Sequence, residues 1–304
     1  MPISIIQTLN TIFTLIFIGV FCGRRKIFND NQINGFEVFL FKIGLPSYLF
    51  STTIQYDGHY LLDMEYITSY ILTFLIVSIV TLLCFKNIDS LAKISIRILA
   101  TGYINAAIYT LPIISFVLGN PRTAIIGNLV QVILIQSVFI VILGLLKHKE
   151  NRIMYRVLRS ILNPLIIAPV LGFSMNYFEL LLPQFLEIAI SKIGTGTSAL
   201  ALFTLGLNIS NVTFSKDILN KTVITIVAIK NILHPVVAFI LGSYILKLDQ
   251  YRLFSLVIAA SAPTAFVVYI IAKEFDTESD IIQKVVVLTS IVSLFSLIFI
   301  LSLL

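Results

Sequence analysis

The sequence predicts an all-α integral membrane protein of ten spanning helices, on three observations. Apolar residues make up 58% of the 304 positions and charged residues only 12%, about half of the roughly 25% charge that a soluble domain carries. The apolar residues fall into runs of about 20, the length that crosses ~30 Å of hydrocarbon. The basic residues gather in every second gap between those runs. With every backbone amide needing an internal partner in lipid, helices are the economical way to cross.

The spans run over 3–23, 35–54, 66–85, 95–119, 123–146, 158–177, 185–208, 221–246, 253–272 and 284–304. The first starts at Ile3 with no basic residue before it, and Arg24, Arg25 and Lys26 follow it. A cleavable signal wants its positive charge first, so this run reads as a retained helix. The second carries Glu37 and Lys42 near its start and leads into an acidic loop with Asp57, Asp63 and Glu65; Glu37 reads as solvated at the interface. The third has no charge before Lys86. The fourth contains Pro112, and the fifth ends at the basic cluster from Lys147 to Arg159. The seventh holds Gly194-Thr195-Gly196, small residues that suit helix packing better than a phosphate cradle. The eighth carries Lys230 and His234, the ninth Pro263, and the tenth follows Lys284.

Charge sets the orientation. The segments after spans 1, 3, 5, 7 and 9, counted with the first residues of the spans that follow them, hold 15 of the 21 Lys and Arg residues. The positive-inside rule then places those segments in the cytoplasm and both termini outside. The same placement explains the net charge of +6 without nucleic acid as a partner. Cys22 and Cys84 lie near helix ends on the cytoplasmic side and read as reduced thiols, since two cysteines make no disulfide framework. His59, His148 and His234 are far apart in sequence, so no metal cluster is expected. No Walker A sequence occurs, and no cofactor is implied. Nothing pairs a nucleophile with a base, which sets an enzyme aside.

The halves echo each other. Pro112 and Pro263 lie 151 positions apart, close to half of the 304-residue chain. Five spans per half is an odd number, so the second half enters the membrane inverted. The expected organisation is a first five-helix repeat over 1–146, a basic cytoplasmic linker over 147–157, and a second, inverted repeat over 158–304.

A proline inside a span has no N–H to donate and crowds the carbonyl four residues back. One such proline only kinks its helix; a pair at matching positions of two halves points to a midplane binding site. Interrupted helices expose backbone groups at membrane depth, and half-helix N-termini offer partial positive charge to an anion. Asn105, Tyr109, Thr110 and Pro112 on span 4, with Pro263, Thr264 and Tyr269 on span 9, are the candidate substrate-binding residues. Asn105 and Thr110 are placed to satisfy freed backbone groups. Lys230 and His234 stand one turn apart on span 8 and complete the set. Lys230 either snorkels toward the cytoplasm or faces a cavity as a cation for substrate or proton.

Taken together, these segments resemble the auxin efflux carrier family, which also holds bacterial malonate- and malate-type permeases. The resemblance covers nearly the whole chain. It rests on GVFCGRRKIF closing span 1, FLFKIGLPSYLFSTT in span 2, and Asn105 seven residues before Pro112. LNPLIIAPVLG, ALALFTLGLNI, IKNILHPVVAFIL, APTAFVVYIIAKEF and LTSIVSLFSL follow in order in spans 6 to 10. The chain departs from the family at Thr110, where glycine is frequent, and at Ala199, where proline is frequent. It also lacks the acidic–basic pair of plant members in its third span and their long hydrophilic central loop.

The resemblance implies two inverted five-helix repeats whose broken helices 4 and 9 cross at their prolines, with the substrate site beside the crossing. Helices 1, 2, 6 and 7 would form a scaffold and the rest the moving unit. Asn105, Pro112 and Pro263 match the crossing, and Lys230, His234 and Pro235 the family's span-8 pattern. The expected function is secondary-active or potential-driven transport of a small organic anion, a carboxylate, across the plasma (inner) membrane. The partners are that anion, membrane lipid, H+ as a candidate coupling ion, and a second copy in a candidate homodimer. The alternatives are sodium-coupled transport of a larger amphipathic acid, and a receptor or sensor that binds without translocating.

Overall fold

The structure is a computed structural model that describes residues 3–54, 63–86, 89–147, 153–210 and 220–302. Asp57, His59, His148, Lys149, Arg152, Lys216, most of the central linker's first half and the terminal residues lie outside the described residues. The named elements of the described chain are all helices: α1 (Ile3–Arg24), α2 (Asp30–Phe39), α3 (Leu45–Thr53), α4 (Met64–Phe85), α5 (Leu91–Gly102), α6 (Leu111–Leu118), α7 (Arg122–Val130) and α8 (Ser137–Leu146). The second half gives α9 (Ile153–Ile161), α10 (Pro164–Tyr177), α11 (Gln184–Ser210), α12 (Lys221–Ala228), α13 (His234–Ile240), α14 (Gln250–Ser261), α15 (Phe266–Glu274) and α16 (Ser279–Ser302). Among the described residues five helices are long and apolar enough to cross a membrane: Met64–Phe85, Arg122–Leu146, Gln184–Ser210, Lys221–Ile245 and Ser279–Ile300. Shorter apolar helices include Asn10–Arg24, Ala106–Leu118 and Pro164–Tyr177.

Burial follows the membrane pattern. Large apolar side chains such as Phe17, Leu83 and Phe299 are exposed, while Thr101, Thr264, Lys230 and Thr289 are fully enclosed. Apolar residues outside and polar ones inside suit a hydrocarbon solvent.

Short π-helical segments precede three of the prolines. Leu40–Gly44 leads to Pro46, Ala106–Thr110 to Pro112, and Ile229–Leu233 to Pro235. In the first and third, the amide that follows the segment bonds five residues back, Leu45 to Leu40 and His234 to Ile229. The widened turn makes room for a ring that would otherwise strike the preceding turn, so the helix continues through the proline. Each of these prolines then sits in the first turn of the α-helical stretch that follows.

The helices fall into two compact units, each drawn from both halves of the sequence. The first comprises Met1–Asp63, Ala107–Ile126 and Ile161–Val212. It holds spans 1, 2, 6 and 7 with the second part of span 4 and the first residues of span 5. Within it α1 and α11 meet at glycines: a Cβ on Gly19 would strike Phe203 O, and one on Gly206 would strike Ile16 O. Gly194 faces the backbone of Tyr48, where an added Cβ would come within 2.9 Å of its Cα, whereas Gly196 faces open space. Only the first of that glycine pair therefore serves packing. Tyr48 donates to Ser115 at 2.6 Å, and half-buried Glu37 accepts from Asn208 at 2.7 Å, so Glu37 is held by a partner side chain.

The second unit comprises Met64–Ala106, Gly127–Ser160 and Thr213–Leu304. At one edge of it three basic residues from separate segments bind the turn between α15 and α16. Arg156 pairs with Glu274 at 2.6 Å and lies over Phe275, Lys147 donates to Asp276 O at 3.0 Å, and Arg97 pairs with Glu278. Arg97 is 3% exposed and also pairs with Asp89 at 2.6 Å. The basic segments expected in the cytoplasm are thus partly neutralised by specific carboxylates.

Candidate functional site

The interruptions in spans 4 and 9 both involve the second unit, and they meet there. α5 ends at Gly102, after which Tyr103 takes up extended backbone; α14 ends at Ser261, and Ala262 is likewise extended. Ile104 and Thr264 form an antiparallel bridge. The Asn105 amide donates to Pro263 O at 2.8 Å, and the Ala265 amide to Tyr103 O at 3.3 Å. Two broken helices thus trade backbone hydrogen bonds where neither can supply its own.

The position of the first break differs from the sequence expectation. Pro263 lies in its break, but Pro112 lies seven residues beyond Asn105, in the first turn of α6. The π-helical segment Ala106–Thr110 absorbs that proline, so the backbone opens upstream of it. The pairing of the two spans is therefore centred on Ile104 and Thr264 and not on the two prolines.

Side chains complete the accounting of freed groups. Thr264 Oγ1 donates to Ala100 O at 2.6 Å, and the Thr264 amide donates to Thr289 Oγ1 at 3.2 Å. Gln131 mimics a neighbouring strand: its Nε2 donates to Ile104 O at 3.1 Å and its Oε1 accepts from Ile104 N at 3.3 Å. Tyr70 donates to the same Oε1 at 3.1 Å, and Tyr103 donates to Gln136 Oε1 at 2.6 Å. Gln131, Gln136 and Thr289 bond to the interrupted segments, and the sequence pattern does not single them out. Their only signal is the presence of uncharged polar residues in strongly apolar spans, which is also what surface threonines of a membrane helix look like.

Lys230 and His234 belong to the same cluster. Lys230 is 0% exposed, so it neither snorkels to an interface nor reaches bulk water. Its Nζ lies 3.1 Å from His234 Nδ1 and 3.5 Å from Ala260 O, and His234 Nδ1 lies 3.1 Å from Thr101 O. Ala260 and Thr101 are near the C-terminal ends of α14 and α5, where unpaired carbonyls carry partial negative charge. Two half-helix C-termini therefore converge on the Lys–His pair. No carboxylate among the described residues touches it. Nearby, Asn231 Oδ1 and Ser255 Oγ are buried without a hydrogen-bond partner.

Of the remaining candidates, Tyr109 and Thr110 are buried in the π-helical segment that leads to Pro112 and belong to the first unit. Tyr269 stands in α15, half-buried, with its ring tilted against Phe266 at 5.3 Å. The cluster thus gathers Asn105, Pro263, Thr264, Lys230 and His234, and leaves Tyr269 outside it.

Two cavities bear on chemistry. In the second unit, Tyr70, Thr73, Gly102, Ile104, His234 and Ala260 help line a void of about 10 Å³, room for one water and too small for an organic acid. In the first unit, a groove of about 360 Å³ is lined by Pro46, Phe50, Pro164, Ile167, Leu171 and neighbours, with no charged side chain. Ser47 is the one polar side chain in its lining, and the rest suits hydrocarbon. Among the described residues no group of three His, Cys, Asp or Glu is placed to hold a metal.

A family model described as membrane transport protein matches residues 4–301. No curated protein matches the chain.

Proposed function

The chain belongs to the membrane transport protein family, that of the auxin efflux carriers, and on that premise we propose that it carries a small organic anion, a carboxylate, by alternating access. In this reading the ten spans form two inverted five-helix repeats in the plasma (inner) membrane, with both termini extracytoplasmic. Substrate contacts come from Asn105, Tyr109, Thr110 and Pro112 on span 4 and from Pro263, Thr264 and Tyr269 on span 9. Lys230 and His234 supply positive charge.

One observation carries the proposal: two interrupted helices bonded to each other beside a buried Lys–His pair that has no carboxylate partner among the described residues. A buried ammonium without a counter-charge is costly, and a negatively charged substrate offsets that cost when it arrives. Membrane potential is an adequate driving force, because moving one charge through 100 mV is worth ~2.3 kcal/mol.

The sodium-coupled alternative asks for a carboxylate at the interruption. The first acidic residue beyond the span 9 break is Glu274, which is occupied by Arg156. The test is a thermal-shift screen of purified protein against short mono- and dicarboxylates, followed by flux of the stabilising acids into proteoliposomes. A ligand bound at 100 times its Kd adds about 2.7 kcal/mol of apparent stability. Stabilisation without flux would favour a receptor, and stabilisation only with sodium present would favour the alternative.

A further inference from the structure

His234 Nδ1 faces two groups with opposite demands. Lys230 Nζ, at 3.1 Å, is a donor when it is an ammonium; Thr101 O, also at 3.1 Å, is always an acceptor. One ring nitrogen offers either a lone pair or a hydrogen, so it cannot serve both. With Lys230 protonated, its N–H donates to the Nδ1 lone pair, the ring carries its hydrogen on Nε2, and Thr101 O is left unbonded by the ring. With Lys230 neutral, Nδ1 carries the hydrogen and donates to Thr101 O. The two states differ by one proton and one tautomer.

We propose that Lys230 and His234 form a single-proton site whose occupancy decides whether the end of α5 is tied to α13. Binding the proton releases Thr101 O, and losing it restores the tie, two residues before the extended Tyr103 at the break in span 4. On deprotonation the Lys230 proton passes to His234 Nδ1 and the Nε2 hydrogen leaves to water in the void that His234 helps line, which has room for one molecule. Built on the carrier reading, this makes H+ the coupling ion: the protonated pair carries the positive charge that an anionic substrate balances.

Among the described residues no other charged group competes for that role. From α4, Tyr70 lines the same void and donates to Gln131; from α5, Arg97 is paired with Asp89 and Glu278. From α14, Arg252 pairs with Asp249 and Glu65; Lys221 of α12 and Asp280 of α16 are exposed. Lys284 of α16 does not touch the pair, and Thr289 of the same helix is neutral.

The chain has three histidines, so His59→Gln and His148→Gln leave His234 as the sole reporter. Nitrogen-15 NMR of this histidine-labelled protein in detergent micelles, titrated from low to high pH without substrate, reads the tautomer directly. The expected result is a ring nitrogen that gains a hydrogen as pH rises: Nδ1 bare while Lys230 is protonated, Nδ1–H once it is not. Lys230→Met should show Nδ1–H wherever the ring is neutral, with the switch lost. An Nδ1 state that never changes in the wild-type background, or that loses its hydrogen with rising pH as an isolated imidazole does, would overturn the proposal. Because no substrate is present, that outcome is separate from failure of the transport reading, which flux alone decides.

Discussion

The hydroxyl of Thr264 donates to Ala100 O at 2.6 Å, joining the interrupted segment of span 9 to the last turn of α5. That bond, with the Ile104–Thr264 bridge, is what lets two spans stop being helical inside a membrane without orphaned backbone groups. Thr264→Val keeps the shape and leaves a buried carbonyl bare, at a cost of about 1–3 kcal/mol. The purified variant should melt earlier than wild type, and Thr264→Ser should recover most of the loss. Equal melting of all three would mean that the hydroxyl is dispensable.

Gln131 should be more sensitive, since its amide serves both backbone groups of Ile104 and the Tyr70 hydroxyl. Gln131→Leu strands three buried polar groups, each worth about 1–3 kcal/mol when unsatisfied. Gln131→Glu keeps the acceptor but loses the donor to Ile104 O. Stability should fall in the order wild type, Glu, Leu at acidic pH, where the carboxyl regains a hydrogen to donate. Thermal denaturation in detergent reads the order, and a Leu variant as stable as wild type would contradict it.

Arg97 holds the middle of α5 to Glu278 by two hydrogen bonds, from Nε at 2.8 Å and Nη2 at 2.6 Å. Removing one partner of a buried ion pair costs about 3–5 kcal/mol. Arg97→Ala should therefore express poorly or melt early, and Arg97→Lys should fall well short of rescue, because an ammonium cannot make the forked contact. Paired replacement of Arg97 and Glu278 by Met and Leu should recover part of the stability, with Asp89 left to Lys93; a double variant as unstable as Arg97→Ala would show that the stranded Glu278 is not the cause.

Much of this fold is legible in the sequence, because lipid imposes length and polarity span by span. The expected span over 66–85 is the helix Met64–Phe85, and the expected span over 185–208 is Gln184–Ser210. Span 2 starts earlier than expected, at Asp30, because Asn29 and Gln32 close a capping box outside the apolar run. The site is less legible. Lys230 and His234 are conspicuous as charge-capable residues in an apolar span, but Arg97 and Glu278 stand 181 residues apart and Tyr70 and Gln131 stand 61 apart. No local period encodes such pairs. Proline misled for a related reason: a π-helical segment lets Pro112 begin a helix, so the break falls where Gln131 and Thr264 can serve the backbone and not where the ring sits.

Orientation is testable with single cysteines. Placed at position 2 and after Leu304 in a background lacking Cys22 and Cys84, they should react with an impermeant thiol reagent on intact cells, as the charge asymmetry of the loops requires. Labelling that appears only after permeabilisation would reverse the assignment.

The central claim is that the interrupted helices hold an organic anion in order to move it. The measurement is uptake of radiolabelled malonate and acetate into proteoliposomes of wild-type protein and of Asn105→Ala, whose lost amide removes hydrogen bonds a carboxylate can accept. The account predicts saturable uptake of at least one acid by the wild type. It also predicts weaker apparent affinity, on the order of tenfold for about 1.4 kcal/mol, in a variant that melts normally. Saturable uptake with unchanged affinity in Asn105→Ala would remove that residue from the site, and binding of either acid without any uptake would contradict the claim itself.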